Sequence, residues 1–365
     1  MTNANLKTWQ VVKNFAIDED PSDISPLGAG HINDTFVIDT KVGKKFCLQR
    51  VNHHVFRDVP GMMENIQRVT AHLQSKVAAR GGDVFREALT LVPALDGAAY
   101  HQDNEGDFWR VYNFVDSACT YDVCEKAGLV HDAAEAFAQF QQDLADLPGA
   151  RLNETIPAFH DTPKRYERFI EAVEKDELNR ASAAIREIDF INARADELST
   201  IVQALSIGEV PERVTHNDTK LNNVLFDKNN DQCLCVIDLD TVMPGSALYD
   251  FGDAVRLGAC TASEDEVDLS LLSLSLERFE EIAKGYLEKA KIFLRPREEE
   301  LLVFSCRLMT FECGMRFLTD HLEGDSYFKV HHEGHNLERC RTQLKMVADM
   351  ENKAEQMRDI IDKYR

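Results

Sequence analysis

Long apolar runs, an excess of basic residues and an even set of cysteines are all missing from this 365-residue chain. No stretch approaches the roughly 18 consecutive apolar residues of a membrane-spanning helix, so no membrane partner is expected. Lysine and arginine number 41 against 63 aspartates and glutamates, a formal net charge of −22. A binder of nucleic acid or of an anionic membrane needs a positive face to displace counterions from phosphate. The balance argues against both, and any polyanion must be met by a local basic pocket. The nine cysteines and the opening MTNANLKTWQ, which lacks the basic and apolar regions of a secretory signal, point to a reducing cytoplasm without a disulfide framework. Cys233 and Cys235 stand two apart in CLCVID, on one face of a strand. With no second pair or spaced histidine beside them, they read as core thiols rather than metal ligands. No internal repeat, low-complexity tract or obligatory protein partner is evident.

What is present is enough apolar residue, 44%, for a sizeable core. A glycine turn, Gly28-Ala29-Gly30, separates two extended stretches. The second of these, Thr35 to Ile38, is followed after Gly43-Lys44 by Phe46 to Val51, as in antiparallel strands. Met62, Ile66, Val69, Leu73 and Val77 recur at helical spacing between Pro60 and Gly81-Gly82, which predicts a helix. Strand-like runs return at Ala88–Val92 and Phe108–Val115. Beyond Cys119 the pattern turns to long helices, over 126–147, 162–173, 187–204, 266–290 and 296–321, with a last one from 336. A β-rich interlude, Arg213 to Asp240, interrupts them. The expected class is α+β, with a β-rich lobe over 1–115 and a larger helical lobe over 116–365.

The interlude carries the chemistry. Val214-Thr215-His216-Asn217-Asp218-Thr219-Lys220-Leu221-Asn222-Asn223 runs into the apolar Val224-Leu225-Phe226, and Val236-Ile237-Asp238-Leu239-Asp240 follows. Phosphoryl transfer depends on positioning and charge neutralisation, so it asks for oxygen ligands to Mg²⁺ and one carboxylate at the attacking hydroxyl. The spacing His216-x-Asp218-x-Lys220-x-x-Asn223 has the offsets of the kinase catalytic loop, in which the Asp accepts the proton and the Asn holds metal. Asp238 stands where a second metal ligand would. The bland alternative is a pair of turn caps and a satisfied core histidine; the register of all these residues together favours the kinase reading.

These motifs resemble the aminoglycoside phosphotransferase and choline kinase family of small-molecule kinases. The resemblance implies a protein-kinase-like two-lobe fold with a nucleotide-binding N-terminal lobe and a more helical C-terminal lobe. It implies ATP and Mg²⁺ as cofactors, with Asp218 as catalytic base and Asn223 and Asp238 as metal ligands. His216 and Asp250 would brace the loop, although Asp250 reads equally as a helix N-cap. Lys220, at the offset of the kinase lysine that touches the γ-phosphate, is otherwise a surface cation. Within the family, GHINDTF, VIDLDTVMPGSALYDFGDAVRLGA and FECGMRFLTDHLEGDSYF resemble members that phosphorylate the anomeric hydroxyl of N-acetylglucosamine or N-acetylgalactosamine. That likeness implies a small sugar as partner beside the nucleotide and places His31, Arg316 and Tyr327 on it, with Asp218.

For the nucleotide, Gly28 and Gly30 would let backbone approach phosphates closely, and Phe114 and Val115, at the lobe boundary, would flank adenine. The strand lysine that kinases use on the α- and β-phosphates is missing. Gln49 and Arg50 occupy its place, and alternation lets only one of them face the nucleotide. Glu64 or Glu87 could partner Arg50. Arg316 lies in an otherwise apolar helix stretch and requires a polar partner, either Asp320 one turn on or the substrate. His331 and His335, at i, i+4, read as a polar loop rather than a metal site. Other acceptors of the same fold, such as choline, an aminoglycoside or homoserine, remain open, as does a catalytically silent binding module. A protein kinase is disfavoured because no Ala-Pro-Glu segment follows Asp238.

Overall fold

A computed structural model describes residues 3–28, 32–122, 126 and 128–365. The chain divides into two compact units. One comprises Met1–Cys119, Asp143–Pro157 and Val224–Met243; the other comprises Thr120–Gln142, Ala158–Asn223 and Pro244–Arg365. The first crossing falls at Cys119, against an expected boundary at 115, and two later segments return to the first unit. Strand pairing explains the second return: Val224–Asp227 pairs with Ala118–Cys119 on one side and with Cys233–Val236 on the other. A register shift between Cys233 and Cys235 breaks the simple one-face relation expected for them. The described cysteines are all free.

The first unit is built on an antiparallel sheet. Its strands Pro21–Pro26, Asp34–Thr40, Lys45–Val51, Phe108–Asn113 and Leu91–Val92 lie side by side in that order, and His101–Gln102 pairs with the start of Phe108–Asn113. Alternation sorts the side chains. Ile38, Phe46, Leu48, Trp109 and Val111 join Val11, Val12 and Phe15, at and just after the end of the helix Asn3–Val12, in one apolar cluster. The residues between them on the central strands, among them Gln49 and Arg110, belong to the opposite face. Gly28, at φ 65°, takes the left-handed conformation that a turn after Pro26 requires and that costs glycine little. The expected helix runs over Val59–Ala79, with the Asp58 carboxylate capping Gly61 N–H and Met62, Ile66, Val69 and Val77 buried.

The second unit is helical. Its longest helix, Pro296–Glu323, packs against Thr162–Lys175, Ala247–Gly258 and His335–Asn352. Gly252 permits one of these contacts, since a Cβ there would lie 2.5 Å from the Ser305 main-chain oxygen. Two expected helices are shorter than the periodicity suggested. The span 187–204 breaks into Ile185–Asn192 and Thr200–Ser206, and at the break the Arg194 guanidinium turns to Glu351. The span 266–290 is helical only from Leu276, because Ser275 caps Arg278 N–H and Cys260 bridges Leu274 just before it. Among the described residues no helix is long and apolar enough to cross a membrane.

Candidate active site

In the second unit, the segment from His216 to Asn223 is held from beneath by the helix Ala247–Gly258. The Asp250 carboxylate accepts the main-chain N–H groups of His216 and Asn217 at 2.9 and 2.7 Å and the Gln141 amide at 2.6 Å. One turn on, Asp253 accepts Thr219 N–H at 3.0 Å. The N-cap of that helix is Ser246, so Asp250 is a loop brace. Burial pushes its carboxyl above the ordinary range, opposed by His216 and by the N–H groups it accepts. His216 is fully buried, with its ring edge-on to Phe137 and Phe140. Its Nδ1 accepts Asp218 N–H at 3.3 Å, so this histidine shapes the turn.

Asp218 itself is half-buried and closely held. Its Oδ2 accepts the Lys220 ammonium at 2.8 Å and the Asn223 amide at 2.9 Å. Desolvation alone would raise its pKa, but Lys220, with His216 and Asn223, outweighs that and holds the carboxyl below its ordinary value. The Asn223 amide nitrogen also donates to the Asp218 main-chain oxygen at 2.8 Å. With its N–H groups so engaged, Asn223 offers its oxygen as a ligand atom.

In the first unit, Asp238 follows the strand Cys233–Val236 and sits at φ 60°, a left-handed conformation uncommon outside glycine. Its carboxylate and the Asn223 amide oxygen are both hard donors of the kind Mg²⁺ takes. Two residues on, Asp240 is buried and paired with Arg110, also buried. Burial disfavours that guanidinium's charge, yet Asp240, helped by Asp238, holds it protonated above even its usual high range.

Gln49 and Arg50 turn to opposite sides. Gln49 lies directly across from Arg110 and accepts two of its N–H groups, at 2.9 and 2.8 Å. Arg50 pairs with Asp34 and Asp107 rather than with Glu64 or Glu87. Glu64 instead accepts the Asn153 amide, and Glu87 closes on Asp83 N–H. Phe114 is half-buried and Val115 buried just past the end of Phe108–Asn113. Gly30 and His31 lie outside the described residues.

Arg316 and Tyr327 meet in a cleft of the second unit that Arg165, Thr319, Asp320 and Phe328 also line, together with Arg168 and Glu323, which pair with each other. The Arg316 guanidinium lies 5.2–5.7 Å from the ring centres of Phe159, Phe328 and Tyr327 and donates, at 3.5 Å, to the Tyr327 hydroxyl. Asp320 is not its partner. That carboxylate accepts the main-chain N–H groups of Ser326, Tyr327 and Phe328 and the Asn336 amide. Arg165 donates to the Phe159 main-chain oxygen, and its pKa is lowered by burial and by Arg316. Among the described residues neither arginine has an ion-pair partner. His331 and His335, by contrast, are joined by a main-chain N–H to ring-nitrogen hydrogen bond.

Sequence reasoning missed Arg110, Asp240, Gln141, Asp253 and Arg165. Asp240 stood inside a quoted motif, and Arg110 carried one signal, a charge amid apolar neighbours in Phe108-Trp109-Arg110-Val111.

A model of a phosphotransferase enzyme family matches residues 23–284. Among solved structures, the chain is similar to an aminoglycoside phosphotransferase from Alicyclobacillus acidocaldarius, with a TM-score of 0.60 at 13% identity over 97% of this chain and 96% of that one. It is similar to an amicoumacin kinase in complex with AMP-PNP, Ca²⁺ and Ami, with a TM-score of 0.59 at 12% identity over 96% of this chain and 93% of that one. A choline kinase from Cryptosporidium parvum matches with a TM-score of 0.58 at 13% identity over 99% of both chains. At these identities the likeness establishes the protein-kinase-like fold.

Proposed function

Because the chain belongs to this phosphotransferase family, we propose that it transfers the γ-phosphoryl group of ATP to the anomeric hydroxyl of an N-acetylhexosamine, N-acetylglucosamine or N-acetylgalactosamine. The observation that carries the acceptor class is the pair Arg165 and Arg316, two cations at one aromatic cleft that have no ion-pair partner among the described residues. The two carboxylates of the cleft are already engaged, Asp320 by main-chain N–H groups and Glu323 by Arg168, so a polycationic aminoglycoside or a quaternary ammonium meets the guanidiniums of Arg165 and Arg316, which repel it. A neutral amino sugar fits instead. Arginine N–H groups and the Tyr327 hydroxyl donate to its hydroxyls and acetyl oxygen, while the rings of Tyr327 and Phe328 meet its C–H face and methyl group.

The chemistry follows from Asp218. Lys220 and Asn223 both bind Oδ2, which leaves Oδ1 to accept the proton of the 1-hydroxyl. As that proton moves, the hydroxyl oxygen bonds to the γ-phosphorus and the bond from phosphorus to the β–γ bridging oxygen breaks, releasing ADP and the sugar 1-phosphate. Asn223 and Asp238 would hold Mg²⁺, which when bound neutralises charge on the phosphates. Asp250 and Asp253 keep the loop fixed, so little reorganisation accompanies transfer.

The test is ATP consumption with Mg²⁺ across N-acetylhexosamines, plain hexoses, choline, aminoglycosides and homoserine. Turnover concentrated on the N-acetylhexosamines, with phosphate on C1, is expected. Failure on both of them with activity on another acceptor overturns the reading.

A further inference from the structure

The third strand of the sheet carries a lysine only at its start, Lys45, which pairs with Asp39, and none where Gln49 and Arg50 stand, yet a buried cation sits beside that position. Arg110 is the direct cross-strand neighbour of Gln49, and its side chain is 1% exposed. Both polar atoms of the Gln49 amide are engaged, the oxygen with Arg110 and the nitrogen with Thr35. The amide oxygen accepts Nε–H and Nη2–H of Arg110, and the amide nitrogen donates to Thr35 Oγ at 3.1 Å. Arg110 then pairs through Nη1 with one oxygen of Asp240. The other oxygen accepts the Asn33 amide at 2.6 Å, and the Asn33 oxygen accepts Asn52 N–H at 2.9 Å. Both oxygens of a buried carboxylate are thereby fixed, one from the sheet and one from the segment that follows the glycine turn.

This carboxylate lies two residues after Asp238, whose backbone is left-handed. The same short stretch is tied at its far end, where the Asn65 amide donates to the Val242 main-chain oxygen at 3.1 Å. A buried ion pair does little for stability that apolar side chains could not, so its position next to a candidate ligand is informative.

We propose that Arg110 is a positioning residue that supplies, from the neighbouring strand, the buried cation the third strand lacks, and that through Asp240 it sets the placement of Asp238 and of the segment after the glycine turn. Gln49 orients Arg110 and does not itself meet the nucleotide. The inference rests on the phosphotransferase reading of Asp238.

Its test is binding of Mn²⁺ by the full chain in the presence of a non-hydrolysable ATP analogue, followed by the resonance signal of free Mn²⁺. Replacing Arg110 alone would strand a buried carboxylate, so the variant is Arg110→Met with Asp240→Asn, which removes both charges. A folded double variant is expected to bind Mn²⁺ about tenfold more weakly or worse, the usual loss when a group supporting a ligand is removed. Its kcat falls while the KM for the acceptor holds. A smaller loss of Mn²⁺ affinity in a folded double variant overturns the proposal. Should that variant not fold, Gln49→Leu, which keeps the ion pair, decides by the same signal: weaker binding supports the proposal and unchanged binding overturns it. A wild-type chain that binds no Mn²⁺ with the analogue overturns the phosphotransferase reading along with it, whereas normal wild-type binding with unaltered variants overturns only the role of Arg110.

Discussion

Asn223 donates its amide to Asp218 twice, to the main-chain oxygen at 2.8 Å and to the carboxylate at 2.9 Å. The residue proposed to hold metal therefore also orients the proposed base. The two functions can be separated by substitution. Asp218→Asn keeps a side chain of the same shape but cannot take a proton, and kcat is expected to fall by about 10²–10⁴-fold with nucleotide binding nearly intact. Near-normal turnover in that variant would rule out Asp218 as base.

Lys220 is the largest influence holding Asp218 ionised. A carboxylate whose pKa is depressed keeps its function above that pKa and loses it as pH falls through it. Lys220→Met removes the cation, so the pKa of Asp218 rises. The acidic limb of the kcat/KM profile should then move to higher pH. A profile that keeps its acidic limb while kcat falls would mean that Lys220 acts on the phosphate alone.

The close approach at Gly252 makes a stability prediction independent of any activity. A methyl group there meets the Ser305 main-chain oxygen at 2.5 Å and the Met309 side chain at 2.7 Å, and backbone cannot rotate aside. Gly252→Ala should destabilise the chain by about 1–3 kcal/mol, the usual cost of overpacking, read as a lower thermal midpoint. A midpoint equal to wild type would show that the two helices can part without loss.

The candidate loop was legible in the sequence because its geometry is local: His216, Asp218, Lys220 and Asn223 lie within one turn system, so their offsets report which side chains meet. The helix Val59–Ala79 was legible for a similar reason, its buried positions recurring with the helical period. Arg110 and Asp240 were not, since 130 residues separate them and alternation alone cannot say whether the face opposite Trp109 and Val111 is wet or buried. The partner of Arg316 stays open between Asp320 and substrate in the sequence because the three main-chain N–H groups that occupy Asp320 come from a loop whose course no periodicity reports. The long helix expected over 187–204 failed where Arg194 reaches Glu351, a contact 157 residues away in sequence.

Substitution of Arg316 is expected to separate acceptor binding from catalysis. Its guanidinium lies among Phe159, Tyr327 and Phe328 with no ion-pair partner among the described residues, so Arg316→Met leaves no paired anion stranded and preserves much of the packing against those rings. Folding should be retained. What is lost is a set of charged donors, and hydrogen bonds to charged groups are worth about 1.5–3 kcal/mol each, so the KM for an N-acetylhexosamine should rise about tenfold or more. The KM for ATP should stay within about twofold, because substitution at a site for one ligand alone leaves the other ligand's affinity unchanged unless the two are coupled. Arg316→Glu adds a carboxylate beside Arg165 and should abolish sugar turnover without creating choline turnover, since Arg165 then pairs with the new acid and neutralises it. A rise in the KM for ATP equal to that for the sugar would instead place Arg316 in the scaffold shared by both ligands and remove the argument that the cleft selects the acceptor.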